Sequence, residues 1–134
     1  MDCKIEPADE KDAVVIHQML HEHNRQFYPG LEELSFCIRN GEGKITAGVV
    51  AYWMGDTVSV EYLIVTAEER GKGYGKALMS RVEEAARERG CRRVSLRTFS
   101  FQAPNFYPKL GYRLTDVAEL NFGGVSDYYY VKEL

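Results

Sequence analysis

Arg70-Gly71-Lys72-Gly73-Tyr74-Gly75 follows an apolar strand-like stretch, Val58 to Val65, and opens a segment whose apolar residues recur at helical spacing. Glycines keep side chains away from a ligand, and the first turn of a helix leaves several N–H groups without intrahelical partners. With the helix dipole and the charges of Arg70 and Lys72, residues 71 to 76 read as a backbone cradle for a pyrophosphate. The strand before the loop carries one carboxylate, Glu61. Partial burial there would raise its pKa toward the working range of a general base acting through a water, which Ser59 on the same face could orient. The alternative for Glu61 is an ion pair with an Arg or Lys across the sheet.

Spacing narrows the choice of phosphate ligand. A nucleotide P-loop needs four residues between its first Gly and Gly-Lys-Ser/Thr, whereas here Lys76 is followed by Ala77, which has no hydroxyl for magnesium. The dinucleotide fingerprint fails as well, because the glycines fall at 71, 73 and 75 and the strand before them is not the first of the chain. Arg-x-x-Gly-x-Gly survives, as Arg70, Gly73 and Gly75.

Several elements must position this loop. Lys4 to Pro7 reads as a first strand, and Asp9 caps a helix from Lys11 to Arg25 with Ala13, Ile16, Leu20 and Phe27 as its buried face, stopped by Tyr28-Pro29-Gly30. Leu34 to Arg39, Lys44 to Met54 and Thr57 to Thr66 form an antiparallel meander turning at Asn40-Gly41-Glu42-Gly43 and at Gly55-Asp56. After the glycine loop, Leu78, Val82, Ala85 and Ala86 mark one face of a helix ending at Gly90. Arg92 to Arg97 is then a strand parallel to Val58–Val65. Gln102 to Leu110 is a short helix, and Tyr112 to Phe122 with Tyr128 to Glu133 make a final hairpin through Gly123-Gly124. In the run Tyr128-Tyr129-Tyr130, alternation points Tyr129 to the opposite face from its neighbours.

This element order, together with Glu61-Tyr62-Leu63-Ile64-Val65, the loop Arg70 to Gly75, and Ala103-Pro104-Asn105-Phe106-Tyr107-Pro108-Lys109-Leu110-Gly111-Tyr112, resembles the GNAT superfamily of N-acetyltransferases over about half of the chain. The resemblance implies an α/β (α+β) acyl-CoA N-acyltransferase fold, a mixed central sheet with splayed parallel strands and flanking helices, in a single domain over residues 1–134. It implies acetyl-CoA as cosubstrate. Leu63 and Val65 would pair through their main chain with the pantetheine, with Ile64 between them in the cofactor site, and Arg70, Gly71, Lys72, Gly73, Tyr74, Gly75 and Lys76 would surround the pyrophosphate. Ser100, Ala103, Phe106 and Lys109 would complete the cofactor site, with Ser100 standing where many members carry an Asn that helps hold the cofactor, so that this contact is shorter or absent. Relatives also place a base at the position of Glu61, and a Tyr following Phe, here Tyr107, beside the sulfur. A phenol with pKa near ~10 suits protonation of a departing thiolate.

The implied reaction is acetyl transfer to a primary amine, directly in a ternary complex, since no cysteine sits in a motif suited to a covalent intermediate. Acidic residues Glu32, Glu33, Asp116 and Glu119, expected around an acceptor pocket between residues 23–33 and the final hairpin, favour a small cationic amine. The alternatives are a non-catalytic acyl-CoA binding module and an acetyltransferase of proteins or aminoacyl-tRNA. The 134 residues carry a net charge of -3, which speaks against a nucleic-acid partner, although Arg87, Arg89, Arg92 and Arg93 are close together. The longest uncharged apolar stretch, Ile45 to Met54, is about half of the ~20 residues a membrane helix needs, and the first residues lack the apolar segment of a signal peptide. A cytoplasmic monomer or homodimer is expected. Cys3, Cys37 and Cys91 read as small core hydrophobes, and His17, His21 and His23 as surface residues without a third ligand, so no metal is expected.

Overall fold

The computed structural model of the chain describes residues 3–27, 31–100, 105–120 and 123–134. By contact the chain divides into two units, Met1–Leu31 and Glu32–Leu134. The first holds helix α1 (Glu10–Arg25), whose start is fixed by a capping box. Asp9 accepts from the Asp12 N–H at 2.9 Å and Asp12 accepts from the Asp9 N–H at 3.1 Å, so Asp9 is the expected cap. Two expectations for this unit fail. Residues 4–7 form no strand, because an extended tetrapeptide needs a neighbour to take its N–H and C=O groups and has none among the described residues. Ala13, Ile16, Leu20 and Phe27 are exposed, since periodicity fixes which residues share a face without fixing what covers it. The stop at residues 28–30 lies outside the described residues.

The second unit contains β1 (Glu32–Glu33), β2 (Phe36–Arg39), β3 (Ile45–Met54), β4 (Thr57–Val65), α2 (Tyr74–Glu88), β5 (Arg93–Phe99), α3 (Phe106–Lys109), β6 (Arg113–Glu119) and β7 (Ser126–Glu133). The strands form one mixed sheet in the order β1-β3-β4-β5-β7-β6, with β2 also on β3. Only β4 and β5 run parallel; a loop and helix intervene between them, as a parallel connection requires. The expected strand 34–39 is split, because Leu34 drops into the core between β1 and β2 while its N–H still reaches the Ala51 carbonyl at 2.8 Å. Helix α3 is shorter than its sequence pattern, at four residues. Residues 101–104, and the end of the expected strand at 121–122, lie outside the described residues.

The core forms where two periodicities meet. Alternate residues Ala47, Val49 and Ala51 of β3, Val58 and Val60 of β4, and Val94 and Leu96 of β5 pack with Leu78, Met79, Val82, Ala85 and Ala86 of α2. Each large aliphatic contributes about 1.5–3 kcal/mol on burial. Gly90, at φ +73, ends α2 as expected. This packing anchors the stem of α2 against the sheet and so sets where its first turn points. Among the described residues no helix is long and apolar enough to cross a membrane.

Candidate active site

Strands β4 and β5 are hydrogen-bonded only from Thr57↔Arg93 to Val60↔Leu96. Beyond that point β4 keeps its partner β3, and β5 keeps β7. The two parallel strands therefore fork, leaving the β5-facing main chain of residues 61–65 without a strand partner. The physical cause lies in β4. Its register on β3 passes from Ala51↔Val60 to Val50↔Tyr62, so Glu61 is the extra residue of a β-bulge. A bulge bends its strand and raises the local twist, which swings the end of β4 away from β5. The opening is a cleft of about 1140 Å³, walled by residues 60–65, by Leu96, Arg97 and Thr98, by the glycine loop and by Phe106 and Tyr107.

The glycines have two separate jobs. Gly71 and Gly73 sit at φ +81 and +83, left-handed backbone that costs an L-residue roughly 1–2 kcal/mol, and a Cβ on either would meet nothing within 4 Å. Gly75 is inside the first turn of α2, and a Cβ there would lie 3.1 Å from Phe106 Cζ and 3.9 Å from Val65 Cγ2. It is needed for the approach of the helix to its neighbours. Gly73 caps α2 without a side-chain bond, and its carbonyl accepts the Ala77 N–H, so the N–H groups of Tyr74, Gly75 and Lys76 have no backbone acceptor among the described residues. That open turn faces the cleft, where it favours an anion.

The cations around the loop differ in availability. Arg70 folds back so that its Nε donates to the Val65 carbonyl at 3.1 Å, tying the loop to the end of β4. Lys72 pairs with Glu69 at 2.7 Å, and that hydrogen bond raises the pKa of its ammonium. Lys76 makes no ion pair among the described residues and lines the cleft.

Tyr107 closes the other side. It is 7% exposed, lies with its ring 5.6 Å from Tyr130 and 5.9 Å from Tyr112, and borders the cleft. Burial, helped by Tyr130, pushes its phenol up to about 12 rather than the ordinary value expected from sequence. It therefore stays protonated throughout the neutral range. Glu61 borders the same cleft but is exposed rather than partly buried, because the bulge takes it out of the strand's alternation. It forms no salt bridge among the described residues, and its charge acts on Tyr52, whose phenol is raised by burial first, then by Glu33 and Glu61.

Leu63, Ile64 and Val65 wall the cleft from β4, and Phe106 wedges against Gly75. Ser100 is placed elsewhere: its Oγ accepts the Ser126 N–H at 2.9 Å and its own N–H donates to the Ser126 carbonyl at 2.7 Å, so it joins β5 to β7. Lys109 is exposed on the last turn of α3 and does not border the cleft, and Ala103 lies outside the described residues. Glu32 pairs with Arg89 at 3.3 Å and Glu33 accepts from Ser35, while Asp116 and Glu119 lie on edge strand β6; none of the four borders the cleft.

These features match what is found by comparison. The acetyltransferase (GNAT) family model covers residues 3–112. The chain belongs to the GNAT family. It is 38% identical over 93 residues to blasticidin-S acetyltransferase of Streptomyces morookaense, covering 69% of this chain and 68% of that protein. A crystal structure of an acetyltransferase from Bacillus cereus is 34% identical and superposes with a TM-score of 0.75 over 98% of both chains. At 18% identity, where the likeness is one of fold, a structure from Bacillus anthracis provisionally identified as a streptothricin acetyltransferase holds acetyl coenzyme A; it covers 76% of this GNAT chain and 62% of its own, with a TM-score of 0.66. The protein is thus an acyltransferase of this family, and the reading as a non-catalytic binding module falls.

Sequence reasoning missed a second cavity of about 270 Å³ that shares Glu61 and Arg97 with the cleft and adds Ser59, Ser95 and Tyr129. The signal was available in part: Ser59 and Ser95 each stand between two aliphatic residues, Val58 and Val60 or Val94 and Leu96, and their register on neighbouring strands puts them side by side. Of the three cysteines only Cys91 is buried, and none borders either cavity. Solvent takes up Cys3 and Cys37 because both fall where no core residue faces them.

Proposed function

We propose that this acetyltransferase moves an acetyl group from acetyl-CoA to a primary amine of a small molecule, directly within a ternary complex. The observation that carries the reading is the fork, which sets an unpaired strand edge, an uncapped helix turn, a carboxylate and a protonated phenol around one cleft. The N–H groups of residues 71–76 and Lys76 would hold the pyrophosphate, and the cleft-side main chain of Leu63 and the N–H of Val65, whose carbonyl accepts from Arg70, would pair with the pantetheine, with Ile64 between them. Both fit the positive-φ glycines, whose missing side chains leave that space clear.

Glu61 would take the amine proton, through one water, as the nitrogen bonds to the carbonyl carbon. Tyr107 would donate its proton to the sulfur as the carbon–sulfur bond breaks, and regain one from solvent. A phenol near 12 is a weak acid toward a thiol of about 8.5, but desolvation in the same cleft makes the thiolate a stronger base.

The acceptor would enter through the second cavity, beside Ser59, Ser95 and Tyr129. Arg97 there pairs with Asp127 at 3.3 Å, which leaves the Glu61 carboxylate as the lining charge that suits a cationic amine. The activity named for the Streptomyces relative points to the same class, an amine-bearing small molecule. An RNA-linked acceptor is disfavoured by the net charge of -3: of the clustered arginines, Arg87, Arg89 and Arg93 each pair with a carboxylate, which leaves Arg92 alone of the four without an ion pair among the described residues. A screen of primary amines, reading thiol release from acetyl-CoA, tests the proposal: turnover confined to polypeptide or aminoacyl-tRNA acceptors would overturn it.

A further inference from the structure

Between α2 and β7 lies a buried carboxylate that acetyl transfer as described leaves unused. Glu83, on the core face of α2 beside Met79 and Ala86, is 6% exposed. Burying an ion costs several kcal/mol unless partners replace its water, so its surroundings must be built for it. They are. Lys132 of β7 places Nζ 2.7 Å from Oε1, and the Tyr112 hydroxyl donates to Oε2 at 3.0 Å. Arg87 stands further off, at 3.9 Å.

Tyr112 links this acid to the cleft. Its own phenol is pushed up by burial and by Glu83, so it remains a donor. The Lys132 ammonium lies 5.7 Å over its ring, and the Lys132 stem packs on Gly111, where φ is +93 and a Cβ would come within 3.4 Å of Lys132 Cε. The Tyr112 N–H donates to the Tyr107 carbonyl at 3.1 Å, beside the Leu110 N–H at 3.0 Å. The two rings meet edge-on at 73°. Helix α3 is one turn long and has no side-chain cap, so it cannot hold Tyr107 by itself.

We infer that Glu83 is a positioning residue for Tyr107: with Lys132 it pins the Tyr112 hydroxyl, and Tyr112 holds both the ring and the main chain of Tyr107 so that its hydroxyl stays on the cleft. An aliphatic residue at 83 would fill the same space but would not choose a direction for the Tyr112 hydroxyl. The inference rests on the reading of Tyr107 as proton donor, and a displacement of the donor by about 1 Å is enough to cost on the order of 100-fold in rate.

The test is a double-mutant cycle. Tyr112→Phe is made alone and together with Tyr107→Phe, with acetyl-CoA affinity measured by calorimetry and folding by thermal melting. Alone, Tyr112→Phe lowers kcat about tenfold while the acetyl-CoA Kd stays within about twofold; with Phe at 107 the same change costs less than about twofold. Glu83→Leu with Lys132→Met removes both charges and the acceptor for Tyr112 and lowers kcat about tenfold, as Tyr112→Phe does, whereas Glu83→Gln with Lys132→Met keeps an acceptor for Tyr112 and loses less; the same kcat in both pairs would overturn the inference. Equal losses in both backgrounds, or a Kd that rises in step with the fall in kcat, would mean that the network only supports the fold and would overturn the inference. An unchanged kcat for Tyr107→Phe alone has a different signature: it removes the donor reading itself, and the positioning role with it.

Discussion

The two halves of the β4–β5 pair are built from the same strands and do opposite things. From Thr57 to Val60, β4 is hydrogen-bonded on both sides and sends Val58 and Val60 into the core beside Val94 and Leu96. From Glu61 to Val65 it is bonded on one side only, and its free edge borders the cleft. One bulged residue divides them. In the closed half the main chain is satisfied by neighbouring strands and the side chains supply stability. In the open half the main chain is left for a ligand, and two titratable side chains, Glu61 and Tyr107, stand where the strands part. The site is made by withholding pairing that the sheet would otherwise complete.

That contrast can be broken at either end. Tyr107→Phe keeps the ring in its aromatic cluster and removes only the proton, so kcat should fall by ~10 to 1,000-fold with cofactor affinity nearly intact; parallel losses in both would return Tyr107 to the core. Glu61→Gln preserves shape at the bulge and should lower kcat/KM by roughly 10- to 100-fold with acetyl-CoA affinity nearly intact. An unchanged kcat/KM would hand the amine proton to solvent.

The raised phenol of Tyr107 also makes a stability prediction. Below pH 10 it is protonated both folded and unfolded, and its full contribution is present. Between about 10 and 12 the unfolded chain loses the proton first, so stability falls as pH rises, by about 2–3 kcal/mol for this group. Denaturant titrations across that window should show a smaller fall for Tyr107→Phe than for the wild type.

Val58→Ala probes the closed half at a fully buried side chain. It should cost about 2 kcal/mol of stability from lost methyl groups and the cavity they leave, with acetyl-CoA affinity and kcat unchanged in the folded protein. Gly73→Asp probes the open half. It adds a side chain at φ +83 and a negative charge beside the uncapped turn, and calorimetry should show acetyl-CoA affinity weakened by about tenfold or more. If Val58→Ala altered cofactor binding as much as Gly73→Asp does, the two halves would not be functionally distinct.

Much of this was written in the chain order. The apolar runs 45–54 and 58–65, bounded by turn residues, and the helical spacing from Leu78 to Ala86 were enough to define β3, β4, α2 and the face of α2 that packs, because those patterns arise from local geometry alone. The glycine loop declared an anion site for the same reason: positive φ and a missing Cβ are properties of single residues. What sequence could not carry were relations between distant segments. The bulge at Glu61 depends on how β3 and β4 align, and the alternation that promised a half-buried base stops there. Ser100 stands in a motif where relatives carry a cofactor-holding Asn, and that its Oγ accepts the Ser126 N–H of another strand could be known only from the fold. Glu83 belongs to no motif of the sequence; its partners Lys132 and Tyr112 lie 49 and 29 residues away and meet it only in the folded chain. Local steric preference fixed the elements and the phosphate loop, whereas register, burial and long-range pairing, which exist only after the chain closes on itself, decided which charged and hydroxyl groups became chemistry and which became support.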